Sequence, residues 1–343
     1  MTPQDLFQLH REASREWLTA DARRTMLKRL WQAVLNHEDV LVKAMHEDLR
    51  KPATEVHLHE MYPVKAEIKH AVKHLGGWMA PMPTPTPVSM VGTSAAIEHQ
   101  PKGQVLIVSP WNFPVILTLR PLISAIAAGN RCIVKPSEHT PNTSEALKSI
   151  IQEALPQEVA VVVLGGPDIS ASLTAMPFQH ICFTGGTAIG KKVMAAAANN
   201  LTSVTLELGG KSPVIVDSSV HVKDASRRIA WGKCLNNGQV CIAPDYMLVH
   251  RDVEQAMLEG LEASILEMYG NNVLNSNERS SMVNAHHWKR VVALIDDALD
   301  RGARLVCGGG RDESTLQIEP TILAGCTMDM AILNEEIFGP VLP

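Results

Sequence analysis

Five short, almost wholly apolar runs recur between residues 105 and 208, at 105–109, 132–135, 159–164, 180–183 and 204–208. They are too short for helices, and they lack the alternating polar positions of a strand with one wet face. They therefore predict strands buried on both sides. Segments with helical spacing lie between them: 114–128, closed by Gly129-Asn130, then 144–154 and the Ala-rich 190–199. Strands alternating with helices predict an α/β fold, a doubly wound parallel sheet covered on both faces.

The flanks must fit around that sheet. Met26, Leu27, Leu30, Trp31, Val34 and Leu35 share one face of a helical pattern over 19–38, and Met61, Val64, Ile68, Val72 and Leu75 repeat it. Both stripes read as core. Pro81, Pro83, Pro85 and Pro87 then impose an extended, polyproline-like arm, followed by a weakly alternating stretch to Gln100 that reads as an exposed hairpin or linker. Beyond Gly209-Gly210 a strand over 213–216 opens a second mixed region. Its expected helices are 253–268 and 286–300, and its expected strands are 247–249, 304–306 and 320–323. The closing run Phe338-Gly339-Pro340-Val341-Leu342-Pro343 has no final helix or polar tail and reads as interrupted.

Composition narrows the partners. Hydrophobic residues at 45% and charged residues at 20% are ordinary for a globular protein, and a net charge of −5, with no strong bias of either sign, argues against nucleic acid or an anionic membrane as the main partner. Six cysteines at irregular spacing, with no CxxC pair and no Cys/His cluster at zinc-ligand spacing, predict no disulfide framework and no metal site. A reducing, cytoplasmic setting is expected. The polar start Met1-Thr2-Pro3-Gln4-Asp5 lacks the order of a signal peptide, and prolines and glycines interrupt every long uncharged run, so no membrane tether is visible.

In a doubly wound sheet, ligands sit at the carboxyl ends of the strands. Ser109-Pro110-Trp111-Asn112-Phe113-Pro114 places an amide between two prolines, which suits an oxyanion donor, although a rigid turn explains it as well. Lys135-Pro136-Ser137-Glu138 offers a cation and a carboxylate for ribose hydroxyls, or a surface ion pair. Phe183-Thr184-Gly185-Gly186-Thr187 leads a strand into a helix with room for a phosphate, yet it is not the GxGxxG fingerprint. Glu207-Leu208-Gly209-Gly210-Lys211 sets a carboxylate at a strand end, where a general base or a solvated turn residue can stand. Asn236-Asn237-Gly238-Gln239-Val240-Cys241 puts a cysteine just after a turn-forming Asn-Gly, a setting for a nucleophile, whereas a lone cysteine is in general a small buried hydrophobe. Cys132 and Cys182, inside apolar strands, fit the second description.

Taken in order, Pro110-Trp111-Asn112-Phe113-Pro114, Leu206-Glu207-Leu208-Gly209-Gly210-Lys211, Gly238-Gln239-Val240-Cys241 and Asn334-Glu335-Glu336-Ile337-Phe338-Gly339-Pro340 resemble the aldehyde dehydrogenase superfamily, and the likeness runs essentially to Pro343. The short segment before Trp111, together with Cys241-Ile242-Ala243-Pro244-Asp245-Tyr246, is most similar to the class 3, fatty or coniferyl aldehyde dehydrogenase branch. The resemblance implies a variant Rossmann NAD(P)-binding domain (1–82 and 103–208), an oligomerisation arm (83–102) and an incomplete α/β catalytic domain (209–343). It implies Cys241 as nucleophile, Asn112 as oxyanion donor and Glu207 as the base that activates water. Lys135 and Glu138 match adenine-ribose contacts, Gly186 a small residue near the pyrophosphate, and Glu336 the nicotinamide-ribose contact. Phe338 matches a residue beside the nicotinamide and Trp111 lines the cofactor channel, while Ser137, Gly166, Gly185, Thr187 and Leu208 complete the set.

The implied cofactor is NAD or NADP, the substrate a small-molecule aldehyde and the assembly a homodimer. The resemblance also implies further chain after the Phe338 motif, so low stability or weak turnover is expected of these residues alone. Two other readings stay open: a relative that passes its acyl group to coenzyme A or works reductively, and a non-catalytic scaffold. Glu207 speaks against the first, because a water-activating base serves hydrolysis; the second retains nucleotide binding without thioester chemistry.

Overall fold

The computed structural model describes residues 2–13 and 18–343, and these divide into two compact units, 1–41 with 57–207 and 42–56 with 208–343. The first unit opens its strands with an exposed antiparallel hairpin, β1 (Met82–Thr84) and β2 (Ala95–Ile97), in the stretch expected to form an arm. Its main sheet contains β3 (Gln104–Val108), β4 (Arg131–Lys135), β5 (Ala160–Val162), β6 (His180–Thr184) and β7 (Ser203–Glu207). All are parallel, in the order β5-β4-β3-β6-β7.

That order explains the apolar runs. The chain steps outward from β3 to β4 to β5, then returns across the sheet to β6 and β7. Right-handed crossovers therefore place helices Ile116–Ala127 and Pro141–Ala154 on one face and Thr187–Ala198 on the other. Every residue of β3, β4 and β5 is buried. β6 and β7 depart from the expectation of two dry faces: their burial is only partial, and the His180 ring on β6 bonds the Ser203 and Thr205 hydroxyls of β7 at 2.8 and 3.1 Å. The N-terminal helices Ala20–Asn36 and Tyr62–Met79 pack on Ile116–Ala127, and the first also packs on Pro141–Ala154. Leu27, Leu30, Val34, Val64, Ile68 and Leu75 are buried as their spacing predicts, whereas Leu35 is exposed.

The winding direction reverses between β3 and β6, and doubly wound sheets bind ligands at such a reversal. The loop after β3 is held by an interaction that sequence spacing does not reveal. Helix Ile116–Ala127 has no side-chain cap of its own. Instead the fully buried Glu60 accepts the N–H groups of Val115 at 3.1 Å and Ile116 at 2.9 Å, satisfying two orphan donors with one carboxylate.

In the second unit β8 (Pro213–Val216) and β9 (Tyr246–Val249) pair in parallel. β10 (Arg304–Cys307) runs antiparallel to β13 (Thr321–Ala324), which pairs in parallel with β14 (Val341–Leu342). β11 (Arg311–Asp312) and β12 (Gln317–Ile318) form a hairpin. The Met247 N–H donates to the Pro343 carbonyl at 2.9 Å, which sets β9 beside β14. Helices Val222–Cys234 and Glu254–Tyr269 pack together over one apolar core, and Ala285–Asp300 covers another.

The unit also takes in residues 42–56, which the linear division into 1–82 and 209–343 assigns elsewhere. They are tied there by the Ser281 N–H on the Leu49 carbonyl at 2.8 Å and the Asn236 N–H on the Glu55 carboxylate at 3.2 Å. Among the described residues, no helix is long and apolar enough to cross a membrane.

Glu60→Ala leaves two helix N–H groups without an acceptor in the interior. The expected loss of stability is about 2–4 kcal/mol, read from urea unfolding, since charge-assisted hydrogen bonds contribute about 1.5–3 kcal/mol each and do not simply add. A change below about 0.5 kcal/mol shows that the cap is not structural.

Candidate active site

The first unit carries its candidate residues on the loops at the carboxyl edge of its sheet. After β3, the Ser109 N–H donates to the Lys135 carbonyl at 3.1 Å, and the Ser109 and Thr118 hydroxyls bond at 2.6 Å. These tie both ends of the bend that holds Asn112 at 4% exposure, with Trp111 half-buried beside it. At the end of β4 the buried Lys135 ammonium donates to Glu138 Oε2 at 2.6 Å. Burial pushes the Glu138 carboxyl up, but the hydrogen bond and charge of Lys135, a hydrogen bond from the Glu138 backbone N–H and the His139 charge together hold the group below the usual carboxylate range. Ser137 is also buried, its hydroxyl accepting the His139 N–H at 3.2 Å.

Three glycines keep the next loops low. Gly166 caps helix Pro167–Thr174 and Gly186 caps Thr187–Ala198, where Thr187 begins the first turn; neither cap supplies a side-chain acceptor. A Cβ on either glycine would meet nothing within 4 Å, so both face open space, whereas one on Gly185 would strike the Phe183 ring at 2.7 Å. Open space and an N-terminus without a side-chain cap, at the start of a 12-residue helix, suit an anionic phosphate. Glu207 lies exposed at the end of β7, with its carbonyl accepting the Gly185 N–H at 3.0 Å.

The second unit holds the cysteine loop. After helix Val222–Cys234, Asn236, Asn237 and Gly238 all adopt left-handed backbone, with φ of 48°, 55° and 73°. Asparagine tolerates that region; at the third position glycine is required, because a Cβ there would lie 2.1 Å from the Gly339 carbonyl oxygen. The fully buried Gln239 then locks the loop. Its amide donates to the Asn236 and Ser281 carbonyls, both at 3.0 Å, and accepts the Val283 N–H at 3.0 Å. Cys241 follows, half-buried in a turn closed by the Ala243 N–H on the Val240 carbonyl at 3.0 Å.

Opposite Gly238 runs the Glu335–Glu336–Ile337–Phe338 turn. Lys211 donates to the Asp245 carboxylate and to the Ile332 and Glu335 carbonyls at 3.0 and 2.9 Å. Asp245 accepts the Ile337 N–H at 3.0 Å, and Arg290 donates to the Glu336 and Ile337 carbonyls at 3.2 and 2.6 Å. Gly209, beside the half-buried Leu208, leaves room for the Glu336 carboxylate, which would lie 1.8 Å from a Cβ at that position. Phe338 is held at φ 46°, an outlier for an aromatic residue of the kind that clusters at functional sites.

Among the other thiols, burial pushes Cys132 and Cys234 up to about 12 and Cys182 and Cys307 to about 11, and raises Cys326. The structure thus brings Lys135 to Glu138, the Glu207 backbone to Gly185, and Glu336 to Gly209. Leu208, Cys241, Glu336 and Phe338 belong to the second unit, and the remaining candidates to the first. Sequence reasoning assigned no role to Lys211, Gln239, Asp245 or Arg290. Three of them sit inside the quoted motifs, and their signal was a polar side chain in an otherwise apolar or Gly-rich stretch.

The chain belongs to the aldehyde dehydrogenase family, which it matches over residues 5–343. It is 41% identical over 321 residues to a 4,4'-diaponeurosporen-aldehyde dehydrogenase of Staphylococcus aureus, covering 94% of this chain and 69% of that protein. It is 40% identical over 320 residues to aldehyde dehydrogenase family 3 member H1 of Arabidopsis thaliana, covering 93% and 66%. Among solved structures, the substrate-bound state of Staphylococcus aureus AldH superposes with a TM-score of 0.96 at 38% identity, over 100% of this chain and 75% of that one. An indole-3-acetaldehyde dehydrogenase in complex with NAD+ gives 0.90 at 26% identity, over 99% and 70%. These relatives place the chain in the class 3 branch, an oxidoreductase family that uses NAD(P).

With the other thiols held protonated, iodoacetamide at pH 7.5 is expected to label Cys241 first, as peptide mass spectrometry would report. Earlier labelling of Cys182, Cys307 or Cys326 contradicts the assignment.

Proposed function

We propose that the chain oxidises an aldehyde to a carboxylic acid through a thioester on Cys241, with Asn112 and Glu207 as its other chemical groups. The observation that carries this reading is the Cys241 turn, braced by the three hydrogen bonds of the buried Gln239 amide. The Cys241 thiolate adds to the carbonyl carbon, and the carbonyl π pair moves onto oxygen. The Asn112 amide and the Cys241 backbone N–H donate to the alkoxide so formed. The chemistry supplied by a bound nicotinamide cofactor is acceptance of the hydride, which leaves a thioester on Cys241. Glu207 takes a proton from water, the hydroxide adds to the thioester carbonyl, the Cys241 thiolate leaves as the carboxylic acid forms, and Glu207 gives its proton up to solvent.

The residues fit the cofactor. Lys135 and Glu138 are paired at a strand end, Gly166 and Gly186 leave their helix N-termini open, and Glu336 holds a carboxylate over Gly209. Adenine ribose falls to Lys135 and Glu138 with Ser137 beside them. The pyrophosphate falls to Gly185, Gly186 and Thr187, and the nicotinamide half to Glu336, Phe338, Leu208 and Trp111. The Glu138 carboxylate, held ionised by Lys135, favours the free ribose hydroxyls of NAD, while the Lys135 charge leaves NADP usable. By the same family likeness, the β1–β2 hairpin is the arm through which two copies pair. Six unbridged cysteines accord with a reducing cytoplasm.

Purified protein given NAD or NADP and a panel of aliphatic and aromatic aldehydes is expected to form reduced cofactor, and Cys241→Ala to abolish it. A folded sample with no Cys241-dependent signal supports the scaffold reading instead. Glu207→Gln should release one equivalent of reduced cofactor and then stall; steady turnover in that variant removes Glu207 as the base.

A further inference from the structure

Helix Val222–Cys234 buries a lysine. Lys233 is only 3% exposed, and its ammonium has no hydrogen-bond partner. Such a group is expensive to keep unless its charge is used. The charges around it are the Asp245 and Glu336 carboxylates, the Lys211 ammonium and the neighbouring Cys234 thiol. Burial pushes the Lys233 ammonium down to about 8, against the pull of Asp245.

Glu336 is its counterpart. The Gly210 N–H bonds its carboxylate, and Oε2 fills the space over Gly209. The other oxygen, Oε1, is buried without a partner, so the orphan oxygen and the orphan ammonium do not bond to each other. Burial pushes the Glu336 carboxyl up, and the Asp245 charge adds to that. The Gly210 N–H and the charges of Arg290 and Lys233 oppose it. Of the nearby cations, Arg290 is committed to the Glu336 and Ile337 carbonyls, and Lys211 to Asp245 and two further carbonyls. Lys233 makes no hydrogen bond, and the Asp245 and Glu336 charges both act on it.

We propose that Lys233 is a positioning residue whose buried, unbonded ammonium keeps Glu336 ionised, so that Glu336 can accept hydrogen bonds from the vicinal hydroxyls of a ribose. The inference rests on the proposed function for the identity of that ribose. An ionised carboxylate accepts two hydroxyl donors; a protonated one spends an oxygen as a donor itself. Lys233 stays charged through neutral pH and becomes neutral above about 8, where Glu336 no longer needs support. Methionine at position 233 has similar length and no charge to bury, so the variant should fold.

The test is binding of NAD to the protein without aldehyde, by calorimetry from pH 5.5 to 9.5, for wild type, Lys233→Met, Glu336→Gln and the double variant. Lys233→Met should bind about three- to tenfold more weakly near pH 6 and converge on wild type above pH 9, because without the Lys233 charge a larger fraction of Glu336 is protonated at the acidic end. Glu336→Gln should lose this pH dependence, and adding Lys233→Met to it should change nothing. A uniform loss at every pH, an unchanged profile, or a loss that persists in the Glu336→Gln background overturns the proposal.

If wild type binds neither NAD nor NADP at any pH, the functional reading falls, and the coupling is read from unfolding of the free protein. Folded Lys233 releases its proton near pH 8, while the unfolded chain does so near the ordinary 10.5. Wild type should therefore gain stability over Lys233→Met as pH rises through that window. Glu336→Gln removes a favourable negative neighbour, so the same gain should begin at lower pH; identical windows in both backgrounds overturn the coupling.

Discussion

The chemistry of the second unit depends on one close approach of backbone to backbone, at Gly238 and Gly339. No side chain fits between them, since even a Cβ on Gly238 would lie 2.1 Å from the Gly339 carbonyl oxygen. The cysteine loop and the Glu336–Phe338 turn are therefore neighbours by steric necessity, and each is braced on its far side. Gln239 makes three amide hydrogen bonds on the cysteine side. Lys211, Asp245 and Arg290 do the same for the turn, through main-chain carbonyls and an N–H. Such bracing holds reacting groups in position before substrate arrives, which is what makes a donor or nucleophile effective.

The first unit uses the sheet for the same purpose. Parallel strands end at one edge, so the loops after β3, β4, β6 and β7 are delivered there without further design. Glu60 then fixes the helix behind Asn112, and Lys135 fixes the ionisation of Glu138. Buried charge thus recurs in both units as a way of setting a neighbour. Glu60 orders two N–H groups, Lys135 sustains a carboxylate at the surface, and Lys233 is placed to do so in the interior.

Much of this was legible in the sequence, where physics leaves a periodic or steric mark. The apolar runs at 105–109 and 132–135 identify strands buried throughout, and the Asn-Gly step before Gln239 identifies a tight turn. Helix Val222–Cys234 was not legible, because Ser226 and Lys233 occupy its buried face and interrupt the apolar stripe. Helix Pro167–Thr174 and strands β11, β12 and β14 are too short to establish a period. Membership of 42–56 in the second unit rests on single hydrogen bonds from distant residues, such as Ser281 to Leu49, which no local pattern encodes. The motif residues were readable as a set. Of the residues that hold them, Lys211 and Asp245 stand as polar side chains inside those motifs, whereas Arg290 acts on backbone carbonyls and leaves no pattern of its own.

The central claim is that a covalent acyl group resides on Cys241 during turnover. Acid-quenching the wild-type protein within milliseconds of mixing with aldehyde and NAD, followed by peptide mass spectrometry, reads it directly. The account predicts that the Cys241 peptide carries the mass of the acyl group and loses it on treatment with hydroxylamine. Turnover with no adduct on that peptide, or with an acyl group on a different cysteine, would contradict it.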